Sequence, residues 1–408
     1  TDPQLGIYYP HRMDHDGNNI LNQIPAFNSI RKSGSYGMDP VFRGYKYEQL
    51  NVVMNGAQSA TAACPNRMDP PTSQMAPNMM DRIEVLKGPH SLRYGTGFGG
   101  TINFIPAKLQ YSQQPASTGR LSTAYEANGS ILRTEGELGI LSERMDLRFF
   151  GSWSGGGDYE SGNGNDVQAD FSRGSIGSNL GIKLASNQQI RLSAIYNIAR
   201  DADFPALAMD LRDDDTWMFN GRHDIQIQQG ALQSWNTTVF GSFVDHLMNN
   251  LQRPPSTRPV DAATRAETYN YGARTESVWQ FSRTKLYAGA DLRVEGASGT
   301  RVRTFLMGPN AGNSVEDNAW QDGQISKTGL FAEYHLSGSA LNYVFSGRLE
   351  LNQSGISDAS PQFSQLNPDV DATQINISMS AGAQKSLSES LRLGLWAGRA
   401  QRSGSLTE

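Results

Sequence analysis

Cys64-Pro65-Asn66-Arg67-Met68 places a thiol and a thioether four residues apart. On a helical turn such a pair lies on one side. Pro65 suits the first position of that turn, and Pro70-Pro71 would end it. A thiolate and a thioether are soft ligands, a pairing that selects Cu(I) over hard ions. His246-Leu247-Met248 adds an imidazole and a second thioether, two residues apart, so in a strand they share a face. The His-x-Met spacing is the weaker signal, because it also occurs at His11-Arg12-Met13. Cys64 is the only cysteine and has no internal disulfide partner. Taken alone, it also suits a small buried apolar position. Secondary metal candidates are His11 and Met13, in the segment His11-Arg12-Met13-Asp14-His15-Asp16, and Met75 and Met79, beside Met80. The first segment also reads as a solvated turn before a helix at Asn18 to Leu21, with Asp16 as its cap. The methionines read first as flexible gap-fillers in apolar packing.

The elements that must position these residues are strands. After Lys108 the chain breaks into segments of about ten residues with strict alternation, the signature of membrane β-barrel strands. Ile375, Ile377, Met379, Ala381 and Ala383 fall on one face; Asn376, Ser378, Ser380, Gly382 and Gln384 fall on the other. Leu391, Leu393 and Leu395 repeat the pattern, as do Leu286, Ala288, Ala290, Leu292 and Val294. In the segment that starts at Trp235, the outward face carries Trp235, Val239, Phe243 and Leu247, which leaves His246 and Met248 on the inner one. A soluble β-sandwich would also alternate, but the connection lengths argue for a barrel. Short turns are predicted near residues 142–143, 186–187, 229–230, 282–283, 337–338 and 388–389. Long loops are predicted at 155–174, 201–216, 249–263, 298–326 and 353–372. About thirteen strands result. No run of eighteen apolar residues exists for a membrane helix, and no signal-peptide pattern opens the chain. The net charge of −5 offers no basic stripe for nucleic acid. No Ser/His/Asp arrangement or carboxylate pair suggests an enzyme. The glycines of Gly95-Thr96-Gly97-Phe98-Gly99-Gly100 lack the helix a nucleotide-binding loop requires.

The segment from about Pro3 to Lys108 resembles the plug domain of TonB-dependent outer-membrane receptors. The matching pieces are Ile24-Pro25, Phe42-Arg43-Gly44, the apolar run Leu50 to Met54 with Asn55-Gly56, then Arg82-Ile83-Glu84-Val85-Leu86-Lys87-Gly88-Pro89, Tyr94-Gly95 and Gly99-Gly100-Thr101-Ile102-Asn103. Asn55 stands where these plugs usually carry Asp, and both residues favour the same tight turn before Gly. The resemblance implies a mainly β protein: an α+β plug (residues 1–108) inside an antiparallel transmembrane barrel (residues 109–408). It also implies a Gram-negative outer-membrane location, with the lipid around the wall, and coupling to the inner-membrane TonB complex through an N-terminal segment not seen here. Plugged transporters close with 22 strands, so the chain reads as a fragment lacking roughly nine strands and both ends. A half barrel would leave open edges in lipid.

CxxxM together with HxM, in the context Asn55-Gly56-Ala57-Gln58 and Cys64 to Pro71, resembles the copper-selective branch of these receptors, the OprC/NosA type. That resemblance implies one copper site built from Cys64, Met68, His246 and Met248, two ligands from the plug and two from the wall. By plug order, the His11 and Met13 segment would lie toward the periplasm, as an exit-side station. The main alternative is a receptor for a metal chelate, such as a ferric siderophore or a cobalamin, which needs a wide aromatic or basic vestibule. A passive porin or adhesin is a third class, which the plug motifs disfavour.

Overall fold

A computed structural model describes residues 13, 16–33, 36–77, 80–253, 258–338 and 340–407. His11 and Met79 lie outside the described residues. The helix anticipated before the first plug strand forms at Gly17–Leu21, and the Asp16 carboxylate accepts the amide of Asn18 at 3.0 Å as its N-cap. Two small sheets follow. One pairs Phe27–Arg31, Met38–Phe42 and Tyr45–Lys46 in order. The other runs Ala57–Gln58, Leu50–Met54, Gly100–Ile105, Arg82–Leu86, with the middle pair parallel. Asn55 (φ 52°) and Gly56 (φ 82°) both sit in the left-handed region, as the tight Asn-Gly turn requires. Leu21, Phe27, Phe42, Leu50, Ile102 and Phe104 form the apolar core between these elements, and Met75 packs into it fully buried.

From Ala116 to Arg399 the chain forms one antiparallel sheet of thirteen strands in sequence order. The predicted short turns fall where the alternation placed them, for example between Ala185 and Gln188 and between Gln229 and Leu232. The first strand, Ala116–Glu126, and the last, Arg392–Arg399, are not paired with each other. The outer face is apolar and exposed at Ile375, Ile377, Met379, Leu393 and Leu395, whereas Asn376 and Ser378 on the opposite face are buried. That inner face meets the plug. Thr268 Oγ1 donates to the Thr61 carbonyl at 2.7 Å, and Trp320 Nε1 donates to the Ala63 carbonyl at 2.7 Å.

Two loop expectations need correction. Residues 298–326 are mostly strand: Thr284–Phe305 and Ser314–Ser337 pair far past the apolar belt, and only 306–313 connect them. Residues 210–216 likewise belong to the strand Asp210–Gln229. The reason is physical. Where both faces of a hairpin are wet, backbone pairing continues but alternation disappears, as along Arg301, Arg303 and Asp317, which are joined by ion pairs of 2.8 and 2.6 Å. A reading that relies on alternation sees such a stretch as loop.

Candidate metal centre

Cys64 begins a tight turn in the plug. The Arg67 amide donates to the Cys64 carbonyl at 2.7 Å, and Arg67 has a φ of 53°. The turn is therefore a β-turn, not the helical turn predicted from the spacing. The left-handed residue stops any helix from continuing. Its cost is offset by the guanidinium, which forks onto Asp39 at 2.9 to 3.2 Å and reaches Glu48 at 2.6 Å. Pro71 also acts differently from the expectation: it opens a short 3-10 helix, Pro71–Gln74, rather than ending one. Asp69 closes the loop by accepting the amides of Ala63 at 2.6 Å and Cys64 at 3.0 Å. Burial pushes the Asp69 carboxyl up to about 6, against the pull of the facing His246.

The wall supplies the other half. The strand Leu232–Asn249 turns Trp235, Val239 and Phe243 outward and His246 and Met248 inward, as alternation predicted. Cys64 Sγ and Met248 Sδ stand 3.6 Å apart across the plug–wall boundary. Met68 is 1% exposed and belongs to the same apolar cluster as Cys64 and Met248, with Tyr36, Phe204 and Leu211. Donor atoms of Cys64, Asp69 and His246 lie within 4.8 Å of one another. Cys64, His246 and Met248 are thus brought together at the end of the wall where the long connections lie, with Met68 buried in the same apolar cluster.

The histidine is prepared by a residue that spacing did not flag. Asp214 sits directly opposite His246 in the antiparallel register, and its Oδ2 lies 2.9 Å from His246 Nδ1. Gln74 of the plug and Thr216 hold the other oxygen at 3.2 and 3.1 Å. A carboxylate on Nδ1 fixes the tautomer and frees Nε2 as a lone-pair donor. Nε2 is buried without a hydrogen-bond partner. An orphaned buried nitrogen beside two sulfurs is costly unless something occupies it. Two sulfur ligands at about 2.3 Å from a tetrahedral ion stand roughly 3.7 Å apart, close to the spacing seen.

A connection between strands covers the site. Phe204 is fully buried, meets Tyr36 edge-on at 6.2 Å, and its amide donates to Asp210. The register shifts between Leu211 and Asp213, which leaves Arg212 as an extra residue. Its guanidinium reaches Asp201 at 3.0 Å and Asp203 at 2.9 Å and ties the cover down. Met209, partly buried, packs against the same cluster. Gly37 (φ 71°) admits the close approach: a Cβ there would lie 2.7 Å from the Met68 carbonyl oxygen. Asp69, Asp214 and Met209 were missed in the sequence. Strand register alone could have found Asp214. Of the secondary candidates, Met13 is buried, and Met75 lies in the plug core, a different cluster from that of Cys64.

The fold is a small α+β domain docked against one antiparallel wall of thirteen strands. Residues 11–101 match the family model of the TonB-dependent Receptor Plug Domain. No curated protein matches the chain by sequence. Among solved structures, the chain is 23% identical to one titled "Copper transporter OprC", with a TM-score of 0.86, covering 98% of this chain and 63% of that one. It is 13% identical to the unliganded ferric citrate transporter FecA, with a TM-score of 0.69, covering 93% of this chain and 59% of that one. It is also 13% identical to the FrpB iron transporter (F3-3 variant) of Neisseria meningitidis, with a TM-score of 0.74, covering 95% and 62%. The fold is that of these plugged receptors, and the chain spans about three fifths of their length.

Proposed function

We propose that this chain is the plug and part of the wall of an outer-membrane copper importer driven through TonB, with copper as cargo held by Cys64, Met68, His246 and Met248. The observation that carries the reading is the 3.6 Å approach of the Cys64 and Met248 sulfurs beside the partnerless Nε2 of His246. A thiol loses its proton to a bound metal, and the two thioethers and the imidazole complete a soft shell suited to Cu(I). Asp214 orients the imidazole, and Asp69 fixes the turn that presents the thiol.

The ligands belong to two bodies, and this supplies a release step. If the inner-membrane partner displaces the plug, Cys64 and Met68 leave His246 and Met248, and the shell opens. The exposed apolar belt of the wall, from Trp235 to Leu395, is the surface that lipid would cover. The test is the copper content of the full-length receptor purified after exposure to chelator-free copper, beside Cys64→Ser. About one copper per protein that is lost in the variant supports the reading. Equal content in both, or none in either, would return the receptor to the chelate-binding class.

A further inference from the structure

A second plug–wall cluster lies at the opposite end of the wall. His90 belongs to the short 3-10 helix Gly88–Arg93 of the plug. Glu333 and His335 lie near the end of the strand Ser314–Ser337, just before a short turn. His90 Nδ1 is 3.1 Å and His335 Nε2 is 2.6 Å from the same oxygen, Glu333 Oε1. The two rings are 5.5 Å apart. All three donor atoms fall within 4.8 Å of one another. The Glu333 side chain is 1% exposed, and its second oxygen, Oε2, is buried with no hydrogen-bond partner. The histidines are about one-third exposed, which leaves a path for an ion. The nearby cation, Arg93, is 4.0 Å from Glu333 but is engaged by Glu276 at 2.6 Å and by the Tyr287 ring at 3.9 Å.

We propose that His90, Glu333 and His335 form a second metal site, which takes a divalent transition-metal ion and ties the plug to the wall. Two imidazoles and a carboxylate are the donor set of Zn(II) and Cu(II), in contrast to the soft sulfur set at the other end. Ligands at about 2.0–2.1 Å from such an ion stand roughly 3 Å apart, close to the spacing of these atoms. On binding, each ring would present the lone pair of the nitrogen that now faces Oε1 and carry its hydrogen on its other nitrogen, so a neutral imidazole coordinates with no net loss of a proton. The unpartnered Oε2 gives the carboxylate a free oxygen to turn toward the ion or to accept a bound water.

The test uses full-length receptor in detergent, carrying Cys64→Ser so that the sulfur site is silent. Cu(II) is added and its electron paramagnetic resonance recorded. The expected spectrum shows two coordinated nitrogens at about one ion per protein. His335→Ala and His90→Ala should each remove one nitrogen and weaken binding by at least about tenfold. Glu333→Gln keeps the shape and should weaken it similarly. Zn(II) should raise the unfolding midpoint of the parent and not that of His335→Ala. A spectrum unchanged in both histidine variants, or no bound Cu(II) in the parent, overturns the proposal. Because the thiol is absent throughout, neither result depends on copper import through Cys64.

Discussion

The plug meets the wall in two chemically opposite regions. At the long-loop end, Cys64, Met68 and Met248 sit in an apolar cluster beside Tyr36, Phe204 and Leu211, and His246 is fully buried next to them. At the short-turn end, Arg93 pairs with Glu276 at 2.6 Å, Arg274 pairs with the same carboxylate at 2.6 Å, and two half-buried histidines flank Glu333. The first region keeps its donor atoms dry. It can gain strongly from a soft ion and little from itself. The second is crossed by ion pairs that tie the plug to the wall, and beside them Glu333 keeps one oxygen unpartnered. Under the proposed function, capture and anchorage are thus separated along the barrel axis.

That contrast can be broken at either end. The largest effect is expected for Cys64→Ser, in which copper content should fall from about one per protein to near none, while the unfolding midpoint stays close to that of the parent. Next is Glu276→Ala, which leaves Arg93 and Arg274 buried without their carboxylate. Loss of one partner of a buried pair costs about 3–5 kcal/mol. Denaturant unfolding should show the plug destabilised by that order, and copper content should be retained. Asp214→Ala should leave the fold standing and weaken copper binding by roughly 10–100-fold, because the imidazole loses its orienting carboxylate. A competition titration with a Cu(I) chelator reads this directly. The smallest effect is expected for Met75→Leu. A volume-conserving core swap costs less than about 1.5 kcal/mol, and copper content should not change. A large loss of copper there would revive Met75 as a transit ligand.

Much of the wall was legible because its strands obey a period of two wherever one face is apolar. His246 and Met248 could be assigned to the inner face from Trp235, Val239 and Phe243 alone. The same logic failed at 298–326, where both faces of the hairpin are polar and the ladder runs on without a pattern. In the plug, the Asn55-Gly56 turn, the strand Leu50–Met54 and the Asp16 cap were readable from local chemistry. The Cys64 turn was half readable: the spacing marked the candidate ligands but not the backbone, since Arg67 adopts a positive φ and is held by pairing with Asp39 and Glu48. His90 and Glu333 are 243 residues apart, and neither carries a local motif that points to the other. Contacts of that kind arise from the docking of plug on wall and leave no periodic trace.

The extra residue Arg212 has a consequence for how such a receptor can change over time. Pairing is regular on either side of it, with Leu211 opposite Met248 and Asp213 opposite Leu247. Loss of that single codon would leave both flanks in register with the strand Leu232–Asn249 and His246 still facing Asp214, while the pairing of Leu211 with Ala202 on the other neighbouring strand would slip out of step. It would, however, strip the cover of the cation that binds Asp201 and Asp203. The cover and the ligand wall are therefore separable by inheritance: a lineage can loosen or rebuild access to the site through one small insertion or deletion without re-threading the strand that carries the chemistry.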